Sequence, residues 1–278
     1  MRLLITNDDG IQAAGLQALR RELSAIEGLE VHVIAPDSNR SATARSITTR
    51  SPLWVEEVAF DDGGIGFATD GTPVDCVRFA ELGLVGERPE LIVSGINHGS
   101  NLGDDITYSG TVAAALEGIV LGIPAIAISQ SSTRPGEIGA PWGREFDFSS
   151  SAAFSAELVQ RVASDPLPAD TLINVNCPAG APSGIEVTHL GKRLYNDEMR
   201  LVDQDADAGR LRYQIYGFEP SFEDEEGSDL SAIARERISV TPVHFDLTDR
   251  PSLDRLKEWD FDGMLARAEE TVEASTQR

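Results

Sequence analysis

Short apolar runs alternate with longer amphipathic stretches through the first two thirds of the chain. Residues 3–6 are apolar enough for a strand buried on both faces. Residues 13–27 follow, with Leu16, Leu19, Leu23 and Ile26 spaced to line one side of a helix. A second strand is predicted over 30–35, and it runs into a polar segment, 36–45, far longer than a connecting turn requires, which marks that segment as functional. Residues 47–60 and 65–69 read as a small hairpin layer, 73–82 as a helix with Pro73 in its first turn, and 91–94 as another buried strand. The glycine- and asparagine-rich stretch 95–104 reads as a loop whose backbone can approach a ligand closely. An alanine-rich helix over 110–121 and a strand over 124–129 complete the series. This rhythm predicts an α/β fold: a doubly wound, mostly parallel, Rossmann-like sheet with helices on both faces.

Beyond residue 129 the pattern weakens. A loop with Pro135 and Pro141 is expected over 131–145, a helix over 149–162 and a strand over 171–176. Residues 185–190, 210–216 and 238–241 read as strands outside the main sheet, 221–229 as an acidic loop and 253–273 as a terminal helix. The expectation is one domain over 1–278, with a core to about residue 180 and a C-terminal extension over 181–278.

Charge changes the picture. The chain carries 46 acidic against 23 basic residues, a net charge of -23, and its only lysines are Lys192 and Lys257. Self-repulsion on that scale is relieved when salt at about 1 M shortens the screening length to roughly 3 Å, so a halophilic organism with a salty cytoplasm is expected. An acidic surface argues against nucleic acid as a partner. The longest apolar stretch, 118–128, is too short for a membrane span and contains Pro124, and charge comes too early for a signal peptide. Two cysteines, Cys76 and Cys177, suit a reducing compartment. The protein is therefore expected to be cytoplasmic, with no membrane partner.

The first strand ends in Thr6-Asn-Asp-Asp-Gly10, where ligands of open parallel sheets bind. Adjacent carboxylates raise each other's pKa unless a cation separates them, and oxygen ligands favour Mg²⁺, Mn²⁺ or Ca²⁺ over zinc. A turn with an Asp helix cap explains Asp8 and Asp9 equally well. If the first, second and 91–94 strands are parallel neighbours, this pair, the Ser41 loop and the Asn97 loop emerge on one side of the sheet. Ser109, Gly110 and Thr111 open the alanine-rich helix, where hydroxyls and N–H groups suit either a phosphate or a plain cap. Asn101 either touches phosphate or stabilises a turn. His98 reads as a bystander more than a general acid, Arg40 and Arg45 as phosphate ligands or surface cations, and Asp75 as a helix anchor.

Several motifs in one order carry a resemblance. They are Thr6-Asn-Asp-Asp-Gly10, Ala35-Pro-Asp37, Arg40-Ser-Ala-Thr43, Ser46-Ile-Thr48 and Gly71-Thr-Pro-Val-Asp-Cys-Val77, then Ser94-Gly-Ile-Asn97, Gly99-Ser-Asn-Leu-Gly103 and Tyr108-Ser-Gly-Thr-Val-Ala-Ala114. Weaker likeness continues through Asn174-Val-Asn176, Leu190-Gly-Lys-Arg193 and Ser239-Val-Thr-Pro242. Together these resemble the SurE family of stationary-phase survival nucleotidases. The resemblance implies a metal-dependent phosphatase that hydrolyses nucleoside 5′-monophosphates, and 3′-monophosphates as well, with one Mg²⁺ or Mn²⁺ per subunit. Carried over residue by residue, the metal ligands fall on Asp8, Asp9, Ser41 and Asn97, with an aspartate oxygen left to orient the attacking water. It also implies a homodimer or homotetramer joined through exchanged C-terminal elements. Two other readings fit less well. A haloacid-dehalogenase-like phosphatase needs its second Asp two positions after the first, and a non-catalytic nucleotide-binding regulatory module lacks a Gly-x-Gly-x-x-Gly turn here.

Overall fold

The computed structural model describes residues 1–132, 146–168, 170–195, 198–205, 209–215 and 221–276. Most of the loop expected over 131–145 lies outside them. The chain divides into two compact units, Met1–Phe245 and Asp246–Arg278.

The first unit begins with β1 (Arg2–Thr6), α1 (Ala14–Ser24), β2 (Glu30–Pro36), β3 (Val55–Ala59), β4 (Ile65–Thr69) and α2 (Pro73–Glu81). It continues with β5 (Leu91–His98), a 3-10 turn (Gly103–Tyr108), α3 (Gly110–Val120), β6 (Ala125–Gln130), α4 (Ser149–Ser164) and β7 (Thr171–Cys177). Then come β8 (Gly184–Val187), β9 (Arg193–Leu194), β10 (Arg200–Asp205), β11 (Arg210–Gln214), β12 (Ser221–Phe222), α5 (Asp229–Ala234) and β13 (Arg237–His244). Among the described residues nine strands form one sheet in the order β3-β4-β2-β1-β5-β6-β7-β13-β8. Alternate residues of its central strands face opposite cores, as strands covered on both sides require. Leu3, Ile5, Val93 and Ile128 pack with Leu16 and Leu19 of α1 and Val159 of α4, whereas Leu4, Ile92 and Ala127 pack with Val77 of α2 and Val112 of α3. Each such Leu or Ile contributes about 2 kcal/mol by burial, so the strand ends are held rigidly.

β1 pairs in parallel with β2 on one side and with β5 on the other. The strand order reverses there, and the crevice beyond the carboxyl ends of β1 and β5 is where such sheets take ligands. β5 runs further than its sequence implies. It continues to His98, with its register against β6 shifting between Ser94 and Asn97, so 95–98 is strand and not loop. Gly95 makes this possible: its φ is +138°, and a Cβ there would lie 2.3 Å from Ile128 O.

Other expectations are corrected as well. β3 and β4 join the sheet through β2 instead of forming a separate layer, and the strand expected over 47–60 shortens to Val55–Ala59. β8 and β13 also belong to the main sheet, β13 antiparallel to β7 and parallel to β8. Pro242 argues against a central strand, yet β8 pairs only with Arg237 to Val240, so the missing N–H of Pro242 faces no neighbour. The acidic stretch 221–229 contains β12 and the first residue of α5. The β10–β11 hairpin does stand outside the main sheet. In the second unit the expected single helix is two, α6 (Arg250–Lys257) and α7 (Phe261–Thr276).

Candidate active site

Asn7 shapes the turn after β1: its Nδ2 donates to Gly10 O at 2.9 Å and its Oδ1 accepts from Gly10 N at 3.2 Å. Asp8 is left 3 % exposed. Its Oδ1 accepts from the Thr111 hydroxyl at the start of α3. Gly110 permits that approach, because a Cβ there would lie 2.7 Å from Asp8 Cβ. Asp9 is half-buried, its Oδ2 accepting from the His98 backbone N–H at 2.9 Å and its Oδ1 from Asn39 Nδ2 at 3.1 Å. The Asn39 Oδ1 in turn accepts from Ser41 N at 2.8 Å, and Arg40 N donates to Asp8 O at 2.7 Å, so the long polar loop is tied to both aspartates. Asn97 Nδ2 donates to Gly99 O at 2.8 Å, which fixes the orientation of its amide.

Electrostatics sets this pair apart. Burial raises the Asp8 pKa to about 6; the Thr111 hydroxyl opposes the shift and the Asp9 charge adds to it. Burial raises Asp9 as well, against the His98 amide. The two arginines of the loop are engaged elsewhere, Arg40 with Asp37 at 2.9 Å and Arg45 with the buried Glu117. Among the described residues no side-chain cation pairs with Asp8 or Asp9.

A cavity of about 740 Å³ opens beside the pair, and Asp8, Ser41, Asn97, Asn101, Tyr108 and Ser109 are among its lining residues. Asp9, Gly110 and Thr111 do not line it. Ser109 caps α3, its Oγ accepting from Val112 N at 3.1 Å, so one residue serves as cap and as cavity wall. Asn101 is clamped: its Nδ2 donates to Ser129 Oγ at 2.7 Å, and its carbonyl accepts from Asn174 Nδ2 at 3.0 Å and Asn176 Nδ2 at 2.9 Å. His98 Nε2 accepts from Gly15 N at 3.1 Å, and its ring stacks on Phe148 at 4.9 Å and Phe146 at 5.1 Å. That bond makes Nε2 an acceptor, and burial holds the His98 pKa below the usual imidazole value. Asp75 anchors α2 in a capping box with Thr72 and also accepts from Thr48 N at 3.0 Å. A smaller cavity of about 480 Å³ lies by Arg45, Arg78 and Glu117, where both arginines already pair with the glutamate.

Sequence reasoning missed Asn39. The only signal for it was an Asn in a Ser-Asn-Arg-Ser stretch, the composition of an Asx turn. It also missed Asp229, fully buried, which accepts from Gly103 N and Gly191 N, each at 2.8 Å, and fastens the glycine-rich loop from 126 residues away.

The fold and motifs have close counterparts. Residues 3–197 match the family model for survival protein SurE. A 5′-nucleotidase SurE of Rubrobacter xylanophilus is 51 % identical over 96 % of this chain and all of its own length. A 5′-nucleotidase SurE of Geobacter sulfurreducens is 45 % identical over 94 % of each chain. Among solved structures, the SurE protein of Aquifex aeolicus superposes with a TM-score of 0.74 at 36 % identity, covering 92 % of this chain and 98 % of that one. With this likeness running through the Asp8–Asp9 turn, the Ser41 loop and the start of α3, the chain belongs to the SurE family.

Proposed function

We propose that the protein is a 5′-nucleotidase, a phosphoric monoester hydrolase that converts nucleoside 5′-monophosphates, and 3′-monophosphates as well, to nucleoside and phosphate. The observation that carries this reading is the adjacent pair of the buried Asp8, on the wall of a nucleotide-sized cavity, and the half-buried Asp9 next to it, without a cationic side chain among the described residues to balance them. Relatives at 51 % and 45 % identity bear the name 5′-nucleotidase.

The residues present fit a divalent cation. The donor set that the family resemblance implies is the Asp8 and Asp9 carboxylates with the Ser41 hydroxyl and the Asn97 amide oxygen, and three of these four line the cavity. Hard oxygen donors of that kind suit one Mg²⁺ or Mn²⁺ per subunit and disfavour zinc. When bound, the cation neutralises phosphate charge and activates water for in-line attack. The protein's own residues do the rest. Thr111 and Gly110 fix the Asp8 carboxyl, and an aspartate oxygen of the pair is left to orient the attacking water. Ser109 and the N–H of Gly110 at the start of α3 hold the phosphate, with Asn101 beside them.

The whole chain, core and extension, acts on this reading as one family domain assembled into a homodimer or homotetramer. The β10–β11 hairpin supports that, exposing Leu201, Val202, Leu211 and Tyr213 outside the main sheet. The test of function is phosphate release from a panel of nucleoside monophosphates, with EDTA and metal add-back at high salt. Activity lost with EDTA and restored by Mg²⁺ or Mn²⁺ is expected, and Asp8→Asn or Asp9→Asn should abolish it in a folded protein. Metal-independent turnover, or wild-type rates in either variant, would refute the reading.

A further inference from the structure

The large cavity changes character along its wall. Asp8, Ser109 and Asn101 are 3, 6 and 8 % exposed, whereas Tyr108 and Tyr195, which line the same cavity, are 61 and 48 % exposed. Exposure therefore rises from a polar floor to an aromatic rim. The two rings come from separate segments: Tyr108 ends the 3-10 turn one residue before Ser109, and Tyr195 directly follows β9. Both are fastened. The Tyr108 carbonyl accepts from Ala44 N at 3.2 Å, in the same loop as Ser41, and the Tyr195 hydroxyl donates to Asp105 Oδ1 at 2.5 Å. Arg193 Nε donates to Asp105 Oδ2 at 2.7 Å, and Lys192 pairs with Asp104 at 2.9 Å. One of only two lysines in a chain of net charge -23 thus lies beside this rim, and both of its carboxylates are balanced. An anionic substrate meets little repulsion there.

Aromatic rings left half in water at a cavity mouth are stacking surfaces, since a planar ligand covers apolar faces that the fold leaves wet. We propose that Tyr108 and Tyr195 form the nucleobase subsite, holding the base by stacking while the phosphate sits at Ser109. This rests on the nucleotidase reading. Stacking uses the π-face that every base shares, so the subsite tolerates all bases, grips purines more firmly than pyrimidines, and offers nothing to a phosphate ester without a ring.

The experiment is steady-state phosphate release at saturating metal by wild type, Tyr108→Ala, Tyr195→Ala and Tyr195→Phe. The substrates are four nucleoside monophosphates and ribose 5-phosphate. Each alanine variant should raise the nucleotide KM by about tenfold, more for purines, with kcat within about twofold and both constants for ribose 5-phosphate unchanged. Tyr195→Phe, which keeps the ring and loses only the bond to Asp105, should stay within about threefold of wild type. Several outcomes overturn the subsite: nucleotide KM unchanged, KM raised equally for ribose 5-phosphate, a loss confined to one base, or a phenylalanine variant as impaired as the alanine one. A shift in oligomeric mass with KM unchanged would instead make the tyrosines part of an interface. If wild type cleaves ribose 5-phosphate and no nucleotide, the nucleotidase reading fails and takes the subsite with it.

Discussion

The Thr111 hydroxyl donates to Asp8 Oδ1 across 103 residues of chain, and this one bond joins the start of α3 to the turn after β1. It places the hydroxyl on the carboxylate proposed above to hold the metal. A hydrogen bond to a charged group is worth about 1.5–3 kcal/mol, so its loss should be felt by whatever Asp8 binds.

Thr111→Val keeps the shape and removes the hydroxyl. The metal concentration for half-maximal activity should rise about fivefold or more, with inhibition by free phosphate at saturating metal little changed. Calorimetry with Mn²⁺ and phosphate inhibition kinetics check this. A fall in phosphate affinity with metal affinity intact would place the hydroxyl on the substrate instead.

Asn39 bridges Asp9 Oδ1 and Ser41 N, at 3.1 and 2.8 Å. Asn39→Ala removes both contacts, each worth about 1 kcal/mol. Activity should drop about tenfold at limiting metal and recover when metal is raised, because the ligands remain and only their arrangement loosens. The melting temperature should fall by no more than about 3 °C. A metal titration of activity beside thermal unfolding measures both.

Stability should depend on pH through Asp8. Its pKa is raised from 3.8 to about 6 in the fold, so the native protein holds a proton that the unfolded chain has released. In metal-free protein the Asp8 contribution is fully present below about 3.8 and is lost as pH rises through about 6. A divalent cation reverses this by favouring the ionised pair. The gain in melting temperature from saturating Mn²⁺ should therefore be largest above pH 7 and shrink as pH falls below about 6. Equal gains at pH 5 and pH 8 would exclude Asp8 as a ligand.

The net charge of -23 carries a salt prediction. At about 0.1 M salt repulsion reaches roughly 10 Å, enough to couple neighbouring surface carboxylates. Raising KCl to about 2 M should raise the melting temperature throughout, while the nucleotide KM worsens at the top of the range as ions compete in the pocket. Unfolding and kinetics on one KCl series test this, and a flat or falling melting temperature would count against a high-salt adaptation.

Most of the site was legible because it lies close to strand ends along the chain. The apolar run before Asp8 marks a two-sided strand, Leu3 and Leu4 facing opposite cores, and such a strand puts its next residues at the ligand edge. Ser109 and Thr111 likewise announce a helix start by local chemistry alone. What the chain could not reveal is pairing across distance. Periodicity does not say that β13 would insert between β7 and β8, since hydrogen bonding between strands is blind to sequence separation. Nor does it say that β5 would run on through Gly95, where only the position of Ile128 O explains the glycine. Local pattern determined which segments are strands and helices and where carboxylates could meet a cation. The tertiary structure decided that Thr111 faces Asp8, that Asn39 spans Asp9 and Ser41, and that Tyr108 and Tyr195 share a wall, because contacts between residues far apart in the chain depend on how the packed elements close.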